Sequence, residues 1–320
     1  MKKYFAAAAL IMAAAAMTSC SAKKELSETK ISENRKSIVT VMFAQYEFAR
    51  NVAGNKADVM MLLKPGAESH SYEPTPEDIR NIQKADLFIY TGADNDAWVD
   101  RILDSMGDKA PRTLKILNCV DVKEEILKEG MQDEEEEEES GEIEIDEHVW
   151  TTPSNAIKIC EDICSAMEGL DGANADIYKE NTASYINELK ELDEDFSRVR
   201  NSAKLDTFVF GDRFPLRYFA DEYDLDYYAA FPGCATDVEV NAQTIKFLID
   251  KVKELHIPVI FTIELSNQKI AKTIAESTGA KIETFYTCHN VSADDMKSGA
   301  TYISMMKHNV EVLKEALKAE

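Results

Sequence analysis

Apolar and polar positions alternate along most of this chain in two regular ways. Short β-branched or apolar runs predict strands, and the segments between them, with apolar residues at helical spacing, predict helices. The predicted strands are residues 38–43, 58–63, 86–91, 113–117, 207–210, 259–263 and 281–285, and the predicted helices are residues 46–52, 77–84, 96–106, 242–255, 268–277 and 301–317. This alternation is typical of parallel sheets covered by helices, and its two rounds predict two α/β lobes.

A long helical pattern lies between the two rounds. Residues 173–202 contain no proline and no glycine, and their apolar residues recur at helical spacing. A helix of roughly 30 residues is about 45 Å long, which makes it a stiff connection. The predicted fold class is therefore α/β, with two (β/α) sandwich lobes joined by one long rigid helix and a ligand site in the cleft between the lobes.

The N-terminus has the pattern of an export signal. Lys2 and Lys3 precede an apolar run over residues 4–17, which is too short for a spanning helix, and Cys20 follows two small polar residues. This looks like a bacterial lipobox, which implies cleavage before Cys20 and lipid attachment to its thiol; the alternative is an ordinary secretory signal followed by a chance cysteine. Both interpretations predict an exported protein.

The domain boundaries follow from these patterns. We expect a signal peptide over residues 1–19, a flexible tether over 20–36, an N-terminal lobe over 37–170, the connecting helix over 171–204 and a C-terminal lobe over 205–320. The formal net charge of −23 argues against nucleic acid as a partner and favours cations.

Two loops carry one histidine each, His70 and His148. Each loop ends at a threonine–proline pair, Thr75-Pro76 in the first and Thr152-Pro153 in the second, which predicts a helix N-cap followed by the first helical residue. Both imidazoles therefore stand on anchored loops, where they are good candidates for metal ligands.

The two histidine motifs, the long helix and residues 302–310 resemble the zinc- and manganese-uptake solute-binding proteins of ABC transporters. The resemblance extends from about Ile38 to Leu317. In that family each of the two histidines binds the metal, so the resemblance implies His70 and His148 as ligands of Zn²⁺ or, alternatively, Mn²⁺, in the interlobe cleft.

The C-terminal lobe departs from the family's pattern. Gly211 stands at the place of the third ligand and has no side chain that could bind. Asp212 beside it could supply an oxygen or form a structural ion pair with Arg213. His289 is the natural replacement at the fourth position, and Glu264 could bind the metal directly or orient an imidazole.

The implied ligand set suits zinc. It comprises His70, His148 and His289 with one oxygen from Glu264 or, as the alternative, Asp212. Three imidazoles and one carboxylate form a tetrahedral N/O site of the kind that Zn²⁺ prefers, whereas manganese would favour more oxygen.

An acidic loop is predicted over residues 131–146, where Asp133 precedes six consecutive glutamates. Like charges at this density repel, so we expect a solvated loop. One interpretation gives it no task. Because zinc-uptake relatives often carry a His- and acid-rich loop at this place, the other is a weak cation-collecting role.

Two cysteines stand near the expected cleft floor, Cys234 and Cys288. A disulfide between them would fix the loop that carries His289; the alternatives are free buried thiols and, less favoured, thiolate ligation of zinc. Cys160 and Cys164, four residues apart on one helix, and Cys119 are expected to be small buried residues.

The resemblance implies a receptor, not an enzyme. It would capture Zn²⁺, or alternatively Mn²⁺, and deliver it to an ABC permease, as a monomer attached to the membrane only through its lipid. One rival is a secreted zinc-dependent hydrolase, but the chain lacks a His-Glu-x-x-His motif, a phosphate loop and a nucleophile elbow. The other is a surface adhesin with a structural metal.

Overall fold

The computed structural model describes residues 35–69, 71–93, 96–131, 144–233 and 240–320. The predicted signal peptide, Cys20, most of the tether, His70, Cys234 and the six consecutive glutamates lie outside the described residues. Within the described ranges, no helix is both long enough and apolar enough to cross a bilayer.

The first lobe is a parallel sheet with helices on its faces. Its strands are β1 (Lys36–Thr40), β2 (Ala57–Met61), β3 (Leu87–Tyr90) and β4 (Arg112–Lys115), and its helices are α1 (Phe43–Ala53), α2 (Pro76–Lys84), α3 (Ala97–Met106) and α4 (Pro153–Leu170). The strand order is β2-β1-β3-β4, with every pair parallel. The predicted α/β alternation is confirmed, although β1 already begins at Lys36, inside the predicted tether.

The second lobe repeats this architecture. Its strands are β5 (Thr207–Phe214), β6 (Asp226–Pro232), β7 (Val259–Thr262) and β8 (Lys281–Thr284), and its helices are α6 (Arg217–Glu222), α7 (Ala242–Glu254), α8 (Lys269–Thr278), α9 (Ala293–Ser298) and α10 (Tyr302–Ala316), where α5 is the connecting helix described next. The order β6-β5-β7-β8 is parallel throughout. The sequence patterns did not predict β6, and β5 extends four residues past its predicted end.

The predicted connecting helix is confirmed as α5 (Ala175–Ser202), 28 residues long. Its buried side chains lie on one stripe, as the helical spacing predicted, and pack against α1, α4 and α10. The stripe comprises Tyr178, Thr182, Tyr185, Leu189, Leu192, Phe196 and Val199. Because α1 and α4 belong to the first lobe and α10 to the second, the helix contacts elements of both.

The loops that follow the strands' carboxyl ends meet between the lobes. The loop after β2 contacts the loop after β8, because the Gly66 amide donates to the Val291 carbonyl at 2.8 Å. The Phe43 amide at the start of α1 donates to the carbonyl of His289 at 3.0 Å. The carboxyl ends of both sheets therefore build a common region, where open α/β folds bind ligands.

Candidate metal centre

His148 is held in one orientation by Asp146. The residue is fully buried just before α4, whose N-cap hydroxyl on Thr152 accepts from the Asn155 amide at 3.3 Å. The His148 amide and the Nδ1 atom of its ring contact the same Asp146 oxygen, at 2.8 and 2.9 Å. A carboxylate accepts only, so Nδ1 carries the proton and Nε2 is the nitrogen that can bind a metal.

Asp146 is itself fixed from both lobes. Its amide donates to the Lys123 carbonyl at 2.9 Å, and its own carbonyl accepts from the Tyr218 hydroxyl of α6 at 2.8 Å. Burial raises the pKa of Asp146 to about 7. The hydrogen bond from the His148 amide and the positive charge of Arg217 lower this pKa, but burial has the larger effect. A cation bound to His148 would favour the ionised carboxylate and strengthen this orientation.

His289 has an analogous partner chain. Its Nδ1 lies 2.8 Å from the Thr287 hydroxyl, which in turn donates to Glu264 Oε1 at 2.7 Å. The hydroxyl can accept from Nδ1–H while it donates to the carboxylate, so Nε2 is again the nitrogen that can bind a metal. The amides of Thr287 and His289 donate to the same carboxylate, at 2.7 and 3.0 Å.

The two imidazoles converge from the two lobes. The ring centroids of His148 and His289 are 4.7 Å apart, with planes at 70°. Trp150 packs edge-on against His289 at 4.9 Å and donates its indole N–H to the Thr287 carbonyl at 2.8 Å. The indole therefore packs against both imidazoles and joins the segment that carries His148 to the loop that carries His289.

Glu147 completes a group of three potential ligands. One ring nitrogen from His148, one from His289 and a carboxylate oxygen of Glu147 all lie within 4.8 Å of one another, and all three residues are buried. Sequence reasoning missed Glu147. Its place in the sequence could have indicated the role, because Glu147 directly precedes His148, but only the imidazole of this motif was considered as a ligand.

Close backbone approach shapes the surroundings of His148. A Cβ added to Gly233 would lie 2.9 Å from the His148 Cε1 atom and 3.1 Å from the Phe214 carbonyl oxygen. A side chain at position 233 would therefore force the His148 ring or the backbone of residues 214–215 to shift. The Gly233 amide also donates to Glu125, which binds the end of β6 to the segment that leads into the acidic loop.

Glu264 lies outside the three-residue group formed in the described part of the chain. The residue is buried, and burial raises the pKa of its carboxyl against the hydrogen bonds from Thr287 and His289. Of the two roles open from the sequence, the contacts favour the orientation of His289 over direct ligation.

Asp212 is likewise separate from that group among the described residues. Its carboxylate accepts from the Ser266 hydroxyl and, at 2.9 Å, from the Arg213 amide. Burial raises the pKa of this carboxyl. The positive charge of Arg213, the alternative ion-pair partner from the sequence, lowers this pKa, and its guanidinium contacts Glu68 of the first lobe at 3.3 Å.

Gly211 belongs to the packing of the second lobe. A Cβ at this position would lie 2.6 Å from the Ala271 Cα atom of α8. Position 211 therefore faces a helix backbone, and no ligating side chain could replace the glycine without displacing α8.

Of the alternatives that the sequence leaves open for Cys288, the structure favours the free buried thiol, because Cys288 is a free cysteine; Cys234 lies outside the described residues. Its side chain is fully buried in the hydrophobic core, near Glu264 and Glu47, and burial raises the pKa of the thiol. The backbone φ at Cys288 is +61°, in the left-handed region, and the next residue, His289, lines the cavity of the site. Cys160 and Cys164 are buried as expected, whereas Cys119 is half-buried.

A narrow cavity opens beside His289. Its lining comes from both lobes and comprises Ala67, Glu68, Ser69, Arg213, Ile263, Glu264, Leu265, Thr287, His289 and Asn290. The described residues that immediately precede His70 thus border the site that contains His289. Glu68 and Arg213, which contact each other at 3.3 Å across the lobes, are the charged pair of this lining.

The family model and the known proteins that this chain resembles in sequence are all described as zinc-uptake or zinc-binding proteins. The model of the family described as "Zinc-uptake complex component A periplasmic" (ZnuA) matches residues 38–316. The zinc-binding lipoprotein AdcA of Streptococcus pneumoniae is 31% identical over 298 residues, which cover 92% of this chain but 58% of AdcA. The high-affinity zinc uptake system protein ZnuA of Bacillus subtilis is 32% identical over 284 residues, covering 88% of this chain and 87% of that protein.

Solved structures share the fold. Zn(II)-bound AdcA from Streptococcus pneumoniae has a TM-score of 0.74 at 30% identity and covers 90% of this chain and 59% of AdcA. The metal-dependent lipoprotein YcdH from Bacillus subtilis has the same TM-score and identity, with 88% and 99% covered. This chain therefore spans somewhat more than half of AdcA and nearly all of YcdH.

Proposed function

We propose that this chain, which belongs to the family of periplasmic zinc-uptake complex A components, captures Zn²⁺ in its interlobe site and delivers it to the permease of an ABC transporter. The observation that carries the proposal is the convergence of Glu147, His148 and His289 within 4.8 Å. The Nδ1 atom of each imidazole contacts Asp146 directly or Glu264 through Thr287, an orientation that makes Nε2 the proposed metal-binding nitrogen.

The proposed ligands are His148, His289 and Glu147 with His70, which lies outside the described residues. His70 enters on the strength of its sequence motif and of its neighbour Ser69, which lines the cavity beside His289. Three imidazoles and one carboxylate form a tetrahedral N/O set for Zn²⁺. Mn²⁺ would need more oxygen than this set supplies.

We further propose that the protein is exported and attached to the membrane through a lipid on Cys20, as a monomer. The motif around Cys20 supports the anchor, and the relatives AdcA and YcdH are themselves named lipoproteins. The membrane would keep the receptor close to its permease without a spanning helix.

A receptor role also accounts for the chemistry of the site. A hydrolytic zinc needs an open position for water beside a general base. In the proposed site four protein ligands would fill a tetrahedral shell and leave no open position for a hydrolytic water. An adhesin is the second candidate: a structural relative, the laminin-binding protein Lmb of Streptococcus agalactiae, with a TM-score of 0.74 at 26% identity, is described as having adhesin and metal-transporting activity.

The test is a zinc titration of the full mature chain by calorimetry, with the bound metal counted by elemental analysis. We expect one tightly bound Zn²⁺ per chain, and a loss of affinity by orders of magnitude in His148→Ala and in His289→Ala. His308→Ala is the matched control, because its imidazole is exposed on α10 and contacts the Thr284 carbonyl at 3.2 Å. Equal affinity in all four proteins would contradict the proposed site.

Two further measurements separate the rivals. Zinc-dependent turnover of ester or peptide substrates would favour the hydrolase, and matrix binding that survives His148→Ala would favour the adhesin. Zinc affinity should weaken below about pH 6, because protonated imidazoles cannot coordinate.

A further inference from the structure

The Lys64–Ala67 turn leads from β2 toward the first histidine motif. The Ala67 amide donates to the Lys64 carbonyl at 3.0 Å, which closes a four-residue turn. Pro65 occupies the second position and Gly66, with a φ of +85°, the third, as in a type II turn. Pro65 and Gly66 therefore set the conformation of this turn, which belongs to the first lobe.

Asn290 of the second lobe binds both ends of this turn. Its side-chain amide nitrogen donates to the Lys64 carbonyl at 2.8 Å and to the Ala67 carbonyl at 2.7 Å. Its oxygen accepts from the Val291 amide at 2.8 Å, so every polar atom of the buried side chain is used. Only an amide side chain supplies two donors and one acceptor in this arrangement.

The main chain reinforces the same junction. The Gly66 amide donates to the Val291 carbonyl at 2.8 Å, and the Phe43 amide donates to the His289 carbonyl at 3.0 Å. Residues 289–291 thus make four hydrogen bonds to the first lobe. One of these residues is the proposed ligand His289, and its neighbour Asn290 makes two of the four bonds.

We infer that Asn290 is a positioning residue that holds the Lys64–Ala67 turn against residues 289–291, the segment that contains the proposed ligand His289, and slows the release of zinc. The inference rests on the proposed function. Separation of the turn from residues 290–291 would break these hydrogen bonds, two of which come from the buried side chain of Asn290. The barrier to release therefore includes the bonds of Asn290, although its side chain is not a ligand.

The test measures zinc release from the zinc-loaded full mature chain, mixed with excess chromophoric chelator in a stopped-flow instrument. Asn290→Ala should release zinc about tenfold faster, as expected for the loss of two ordinary hydrogen bonds. Asn290→Asp should release it faster still, because a carboxylate would face two carbonyl oxygens. Exchange protection of the Gly66 amide should fall in both variants.

Asn181→Ala is the control for a merely structural effect. Asn181 also donates its side-chain amide to a carbonyl of another element, that of Val52, at 3.1 Å, but it lies on α5. Its loss should lower the melting temperature and leave the release rate unchanged. Equal acceleration in Asn181→Ala and Asn290→Ala, or wild-type release and Gly66 protection in the Asn290 variants, would overturn the inference.

A second pair of variants tests the turn from its other side. Gly66→Ala strains the left-handed backbone, and nothing lies within 4 Å of the added Cβ. Gly279→Ala is matched to it: both glycines are exposed, the φ of Gly279 is +79°, and its Cβ also meets open space. We expect faster zinc release from Gly66→Ala alone, and equal release from the two variants would contradict the inference.

The failure of this inference is distinguishable from failure of the proposed site. If His148→Ala abolishes tight binding while the Asn290 and Gly66 variants release zinc normally, the site stands and the positioning role falls. If His148→Ala binds zinc as the wild type does, the proposed site falls, and the inference falls with it.

Discussion

Glu264 and His289 are connected twice. The His289 amide donates to Glu264 Oε1 at 3.0 Å, and the Thr287 hydroxyl joins the same carboxylate oxygen to His289 Nδ1 through contacts of 2.7 and 2.8 Å. One buried carboxylate thereby sets both the backbone position and the ring orientation of a proposed ligand. In the first lobe, Asp146 holds His148 in a similar way, because one of its carboxylate oxygens contacts both the backbone amide and the ring Nδ1 of His148.

Thr287→Val tests the importance of ring orientation. Valine has nearly the shape of threonine but cannot donate to Glu264 or accept from His289, so the imidazole loses its fixed tautomer. We expect the zinc affinity to fall about 10- to 100-fold, as is typical when an outer partner of a metal ligand is removed. Calorimetric titration measures the loss.

The control for this variant is Thr273→Val. The Thr273 hydroxyl also makes one hydrogen bond, to the Lys269 carbonyl at 3.0 Å, but it is exposed on α8. Its zinc affinity should equal that of the wild type. If Thr287→Val also binds zinc normally, ring orientation by the hydroxyl is unimportant.

The lobe architecture could be predicted from the sequence because it depends on local periodicity. The stripe of α5 repeats at helical spacing, and the buried strands are short apolar runs, so both patterns are visible without contacts. The boundaries of elements depend on contacts as well: the sequence pattern predicts that the first strand continues to Phe43. The chain instead turns at Val41 and Met42, whose amides donate to the Gln45 side chain and begin α1.

The site was predicted only in part, for a different physical reason. The imidazoles of His148 and His289 are conspicuous residue types on short loops, and the structure brings them together. The position of Glu147 depends on an irregular segment before α4 that follows neither helical nor strand periodicity. The role of Glu264 depends on donors 23 and 25 residues away along the chain, which no local pattern reveals.

Buried Glu47 predicts a pH-dependent stability. Its carboxylate accepts from the Tyr302 amide at 3.1 Å and contacts Arg50 at 3.0 Å, yet burial dominates and raises its pKa. The folded state therefore holds this proton more tightly than the unfolded state does, so the stability contributed by Glu47 falls as pH rises above its unfolded pKa.

The variant that tests this is Glu47→Gln, which removes the titration. Between about pH 4 and pH 7, the free energy of unfolding of the wild type should fall relative to that of the variant. Urea unfolding across this range measures the difference. Glu311→Gln, exposed on α10, controls for the loss of one negative charge. If the free energy of unfolding of the wild type instead rises relative to that of Glu47→Gln as the pH rises, the predicted direction is wrong.

Deletion of the six glutamates at residues 134–139 should reduce the number of weakly bound cations and leave the tight zinc site nearly unchanged. Solvated charges contribute little each in salt. The flanks of the loop are fixed separately: Glu124 bridges Ile145 antiparallel, and the Glu125 amide donates to the Glu144 carbonyl at 3.0 Å.

Equilibrium dialysis at low and high ionic strength counts these cations. Replacing the six glutamates by glutamines is the matched control, because it removes the charge and keeps the length. Both variants should lose the same weak sites. A loss of tight binding in the deletion but not in the glutamine variant would assign the loop length, rather than its charge, to the zinc site.

The last prediction distinguishes His289 from Asp212 as the contribution of the second lobe. Asp212 already accepts from the Ser266 hydroxyl and the Arg213 amide. Among the described residues, the group of potential ligands that contains the two imidazoles does not include it. Asp212→Asn keeps the size of the side chain and should leave zinc affinity nearly unchanged, whereas His289→Ala should lower it by orders of magnitude. Zinc-bound crystals should place a His289 nitrogen about 2.0–2.1 Å from the ion. Since hard cations prefer carboxylates, a structure with Asp212 bound and His289 turned away would make manganese the better cargo and would refute this version of the site.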